Sequence, residues 1–164
     1  MTARPLVERW TPGTPPGPRL HQAWQAGRSC TVRITGADVL RVSTSAAART
    51  LAVLEERGIP LGPVMENRAR ACIEFTVPAG TAATWPPLPR THCVAEALIR
   101  CPAPDTTTHP YRTAGRRAWI SPPAPAAPSV TDADALCEAV TSALIQLAEQ
   151  PPRTPTYRPG EGRS

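Results

Sequence analysis

Residues 38–77 read DVLRVSTSAAARTLAVLEERGIPLGPVMENRARACIEFTV, and the change of period inside this stretch decides the fold class. Asp38-Val39-Leu40-Arg41-Val42 is a short extended piece. The alanine-rich segment that follows places Leu51, Val53 and Leu54 on one side, offers Ser43 or Ser45 as a cap and has Gly58 just beyond its end. That pattern predicts a helix over 43–57. Ile59-Pro60-Leu61-Gly62-Pro63 is a rigid turn. Residues 64–66 and 71–77 then predict a hairpin around Asn67-Arg68-Ala69-Arg70, because Ile73, Phe75 and Val77 alternate with Cys72, Glu74 and Thr76. Extended piece, helix and hairpin in one run predict an α+β domain.

Outward from this stretch the signals are shorter. Residues 21–26 (HQAWQA) predict a short helix that buries Trp24, and residues 29–34 alternate as a strand with Cys30, Val32 and Ile34 on one face. Residues 93–100 fit either period; their brevity and the closing Pro102 and Pro104 favour a strand. A short strand is expected at Ala118-Trp119-Ile120, after a polar, basic loop over 105–117. The final helix is expected over 132–148, with Thr131 and Asp134 as a capping box and Leu136, Val140, Leu144 and Leu147 along one side. The 22 prolines concentrate outside these elements. Residues 1–19 are expected as a flexible proline-rich arm, 20–150 as one α+β domain with a small mixed or antiparallel sheet and two main helices, and 151–164 as a disordered basic tail.

All 18 basic residues of the 164 are arginines. Lysine chemistry is thereby excluded: there is no P-loop lysine, Schiff base or Ser-Lys dyad. Residues 129–150 carry −4 and no arginine, so the formal +5 of the whole chain leaves +9 on the remainder. No run of 18 apolar residues offers a membrane span. The first ten residues lack the apolar core of a secretory signal, and five cysteines without a C-x-x-C pair fit reduced, packed thiols. A cytoplasmic location is expected on those grounds.

Four constellations could carry chemistry. Cys72, His92, Cys93 and Cys101, with His109 nearby, could form a metal site, but His92 and Cys93 are adjacent and would diverge on a strand. Nucleophilic catalysis by a Cys-His pair has no local signature around any of the cysteines. Asp132-Ala133-Asp134 forms a D-x-D, which at a helix start is explained by capping and the helix dipole. Arg68, Arg70, Arg112, Arg116 and Arg117 could contact phosphates, with Tyr111 or Trp119 for stacking, and this set is the candidate nucleic-acid surface. Neither catalytic residues nor a cofactor are indicated, and the expected partner is protein or nucleic acid.

Several stretches taken together resemble a family. They are Asp38-Val39-Leu40-Arg41-Val42 before an alanine-rich helix, Gly58-Ile59-Pro60-Leu61-Gly62-Pro63-Val64-Met65, and Val77-Pro78-Ala79-Gly80-Thr81-Ala82. Leu98-Ile99-Arg100-Cys101-Pro102, Trp119-Ile120-Ser121-Pro122-Pro123 and the capped helix at Thr131-Asp132 complete the set. In that order they look like small actinobacterial proteins related to the N-terminal domain of bifunctional DNA primase/polymerases, over residues 24–148. The resemblance implies a related fold. Active members use a paired-aspartate strand, an S-x-H element and a further aspartate. Here Asp38 stands alone on its strand, and neither His92 nor His109 lies in S-x-H. The resemblance therefore implies a non-catalytic binding or regulatory module. The alternatives are a nucleotide-handling enzyme that uses arginines on phosphates, and a Cys/His metal-binding protein.

Overall fold

The computed structural model describes residues 8–108 and 116–151. In chain order the elements are β1 (Glu8–Trp10), α1 (Pro18–Gln25), β2 (Cys30–Ile34), β3 (Ala37–Ser43), α2 (Thr44–Glu56) and β4 (Val64–Asn67). A single 3-10 turn (Arg68–Arg70) leads to β5 (Cys72–Pro78), α3 (Thr81–Thr84), β6 (Thr91–Ala95), β7 (Leu98–Cys101), β8 (Arg117–Ser121) and α4 (Ala133–Glu149). The fold is α+β.

The strands form two sheets rather than one. Five of them make an antiparallel sheet in the order β6-β3-β5-β4-β8. The other three, in the order β1-β2-β7, make a mixed sheet in which β1 runs parallel to β2. Their separation begins at Glu96, whose φ of +48° turns the chain between β6 and β7. The stretch that fits either period is thus two short strands on either side of a turn at 96–97, and they pair with different sheets. β1 also places ordered structure within residues expected as an arm, because Trp10 packs into the core.

Alternation along the central strands gives the large sheet two unlike faces. Leu40 and Val42 of β3, Val64 of β4 and Ile73, Phe75 and Val77 of β5 point to one face. They cluster with Ala46, Ala47 and Leu54 of α2 and with Leu136, Ala139 and Val140 of α4. Complete burial of a side chain such as Phe75 contributes about 1.5–3 kcal/mol. On the opposite face, Val39, Met65 and Trp119 cluster with Leu20 of α1 and with Trp10, Val32, Ile34, Ile99 and Cys101 of the small sheet. The large sheet is therefore a middle layer, with two helices on one side and the small sheet with α1 on the other.

The caps differ in detail from the sequence reading. At α4 the cap is Asp132, whose carboxylate accepts from Ala135 N at 2.9 Å, instead of a Thr131–Asp134 box. Thr131 is held elsewhere: its amide donates to Thr76 O at 2.8 Å and its hydroxyl accepts from Gly62 N at 3.0 Å. A Cβ at position 62 would lie 2.6 Å from the Val130 carbonyl carbon, so this junction requires glycine. Ser43 occupies the cap position of α2, but its hydroxyl pairs with that of Ser45 at 3.2 Å and caps no amide. Among the described residues, no helix is long and apolar enough to cross a membrane.

Candidate functional site

Beyond the small sheet, the non-helical face of the large sheet changes character. Arg41 on β3 sits directly opposite Glu74 on β5, and the residue opposite Arg41 on its other side is His92 of β6. Asn67 of β4 stands opposite Cys72 on one side and Arg117 of β8 on the other. By strand alternation, each of these occupies a position that points away from α2 and α4. They form the polar continuation of a face that is apolar under the small sheet.

Two concave regions meet here. The narrower is a cavity of about 180 Å³ between the sheets, bounded by Arg41, Asn67, Arg70, Glu74, Arg100 and Arg117 among others. The wider is a shallow cavity of about 490 Å³ bounded by Arg41, Ser43, Arg70, Cys72, Arg90 and His92 among others. They share Arg41 and Arg70 and so adjoin, and the two together are the arginine cleft. Five arginines line it against a single carboxylate, Glu74.

The local backbone explains why these side chains are held in place. Asn67 Oδ1 accepts from Arg70 N at 3.2 Å, which tightens the turn after β4, and Ala71 closes that turn in the left-handed region at φ +50°. Arg70 is thereby fixed at the rim. Arg90, also left-handed at φ +60°, donates to the Ser45 hydroxyl, and its carbonyl accepts from Ser43 N at 2.9 Å. Arg100 extends from β7 and donates through Nε to the Ser29 hydroxyl at 2.9 Å. Arg41 Nε donates to Glu74 Oε1 at 3.0 Å, with side-chain exposures of 17% and 4%. Among the described residues, no carboxylate pairs with Arg70, Arg90 or Arg100. Such a surface attracts anions, and planar guanidinium groups match phosphate oxygens in bidentate geometry.

Of the sequence-derived basic set, the cleft gathers Arg70 and Arg117. Arg68 lies at the same turn but donates to Glu66 at 3.1 Å, and the Arg116 carbonyl accepts from Arg68 N at 3.1 Å. Tyr111 and Arg112 lie outside the described residues, as does His109. Trp119 is not a stacking platform: it is 2% exposed and its Nε1 donates to Pro102 O at 2.9 Å, so the ring belongs to the core. Arg41, Asn67, Glu74, Arg90 and Arg100 were not singled out from the sequence. A signal did exist for two of them, since Arg41 and Glu74 interrupt adjacent apolar strands and so mark a break in one buried face.

The cysteine and histidine set is dispersed. Cys72 and His92 border the cleft, Cys93 packs on the helix-covered side, and Cys101 is buried under the small sheet. Among the described residues, no group of three His, Cys, Asp or Glu side chains could hold a metal ion. Burial pushes the Cys72 thiol up, with the Glu74 charge adding to it and Arg41, Arg70 and Arg117 opposing. Burial, then the Asp38 charge, pushes Cys93 up to about 11, and burial pushes Cys101 well above the usual thiol range. Thiols held protonated are poor nucleophiles at neutral pH. The aspartates are structural: Asp38 Oδ2 accepts from Ala82 N at 2.8 Å and Asp132 caps α4.

A second cavity, of about 380 Å³, opens between the segment after β1 and α1, where Trp10 and Trp24 meet edge to face at 5.9 Å. Prolines make up much of its wall, and no ionisable side chain lines it. Both indoles are committed, Trp10 Nε1 to Thr14 O and Trp24 Nε1 to Cys101 O, each at 3.2 Å. The cavity offers apolar burial without reactive groups. Compared with protein-family models, with curated proteins and with solved structures, the chain matches none.

Proposed function

We propose that the protein is a non-catalytic binding module, related to the primase/polymerase-like domain, that takes a phosphate-bearing ligand in the arginine cleft. The observation that carries this reading is the pair of adjoining recesses lined by Arg41, Arg70, Arg90, Arg100 and Arg117 against the single carboxylate Glu74. The family relation is supported by the turns at 58–65 and 77–82. The non-catalytic part is supported by the aspartates: Asp38 and Asp132 are spent on backbone amides. No Phe, Tyr or Trp side chain lines the cleft among the described residues, which favours a compact ligand over a strand held by base stacking.

The test is a titration of the folded protein with inorganic phosphate, nucleoside phosphates and a single-stranded DNA oligomer. Binding should weaken with rising salt. Replacing both Arg70 and Arg100 with alanine should lower affinity about tenfold or more. An affinity unchanged by that double replacement, or no binding of any phosphate compound at low salt, overturns the reading. Magnesium-dependent nucleotide incorporation would instead support an enzyme that uses arginines on phosphates.

A further inference from the structure

Glu74 is the odd group in the cleft. Its side chain is 4% exposed, and its hydrogen bonds within the described residues fall on one oxygen: Oε1 accepts from Arg41 Nε at 3.0 Å and from Asn67 Nδ2 at 3.5 Å. Among the described residues, Oε2 is buried with no hydrogen-bond partner. A buried carboxylate oxygen without a donor is costly, and such groups are rare in folded proteins. The register explains how it arises. On β5, Glu74 faces Arg41 on one neighbouring strand and Met65 on the other. Met65 is apolar and buried, and the β4 donor that reaches Glu74, Asn67 Nδ2, goes to Oε1.

Resting on the cleft assignment above, we infer that Glu74 is a specificity-determining residue: Oε2 accepts a hydrogen bond from a hydroxyl or amino group carried by the phosphate-bearing ligand. The two halves of the cleft give that ligand a direction. The wider half holds Arg41, Arg70 and Arg90 and is lined by no carboxylate, so the phosphate sits there. The narrower half holds Arg41, Arg70, Arg100 and Arg117 as well, but it is the half that contains the carboxylate, Glu74, with Asn67 beside it. Like charge keeps the phosphate away from Glu74, and the donor-bearing end of the ligand enters that half. The ligand class is a phosphate ester with a hydroxyl or amino group within one ring or short chain of the phosphorus.

The experiment compares matched ligands on the wild-type protein by calorimetry. Ribose 5-phosphate is set against tetrahydrofurfuryl phosphate, which keeps the ring and loses its hydroxyls. 3-Aminopropyl phosphate is set against propyl phosphate. In at least one pair, the donor-bearing member should bind about tenfold tighter or more, the two pairs distinguishing hydroxyl from amine. Glu74→Gln, checked for folding by circular dichroism, should erase the preference while the stripped phosphates still bind. Equal affinity within both pairs on wild type overturns the role of Glu74 and leaves the arginine cleft standing. A preference that survives in Glu74→Gln likewise overturns it. Failure of all four compounds to bind overturns the cleft reading itself.

Discussion

The two faces of the five-stranded sheet are made by the same strands and solve opposite problems. On one, Leu40, Val42, Ile73, Phe75 and Val77 meet α2 and α4, and the buried charge at its edge, Asp38, is spent on the Ala82 amide. On the other, the apolar surface under the small sheet gives way to Arg41, Glu74, Asn67 and the cleft. Because side chains alternate, each strand had to carry both programmes at once. The difference teaches that the helix-covered face sets stability, while the half-covered face trades apolar packing for a charged recess.

Perturbing each face separately sharpens that division. The largest effect is expected on the helix side: Phe75→Ala should cost about 3–5 kcal/mol in denaturant unfolding, since the ring is wholly buried between sheet and helices. On the cleft side, Arg41→Ala should cost about 2 kcal/mol, because it removes the cationic partner of a nearly buried carboxylate. Replacing both at once, Arg41→Met with Glu74→Leu, should restore most of that stability yet lower phosphate affinity. If stability is not restored, the ion pair is structural and the contrast between the faces breaks.

A pH titration probes the helix-covered side through Cys93. Its folded-state value of about 11 lies above the ordinary 9.0, so the unfolded chain loses the proton first. The stability it contributes is present below about pH 9 and is lost as pH rises toward about 11. Cys93→Ala should flatten the decline measured by denaturation at successive pH values. Asp132→Ala should cost about 1 kcal/mol by uncapping α4, readable as a lowered denaturation midpoint. Smallest of all, Arg70→Ala with Arg100→Ala should move stability by no more than about 0.5 kcal/mol, although it removes two walls of the cleft.

Legibility in the sequence followed the same division. The helices at Thr44–Glu56 and Ala133–Glu149 and the hairpin of Val64–Asn67 with Cys72–Pro78 were readable, because periodicity and turn residues act over a few positions. Helix α3 was not, being four residues between a left-handed Gly80 and Trp85. Of the cleft's arginines only Arg70 and Arg117 were legible, while Cys72 and His92, which also border it, were read as metal candidates. Arg41 and Glu74 lie 33 residues apart and meet through strand register, and Arg100 arrives on a strand of the other sheet. A linear search for basic clusters finds arginines that are neighbours in the chain, whereas this recess is assembled from ones that are not.

The kink at Glu96 has a consequence for the kinetics of the whole domain. Within residues 91–101 the chain leaves the edge of the large sheet, where β6 pairs with β3, and enters the small sheet, where β7 pairs with β2. One short ribbon is therefore hydrogen-bonded into both sheets, and neither can open along that ribbon without loading the other. Amide protons of Val32 and Val39, one in each sheet, should exchange with deuterium at matching protection, as members of a single cooperative unit.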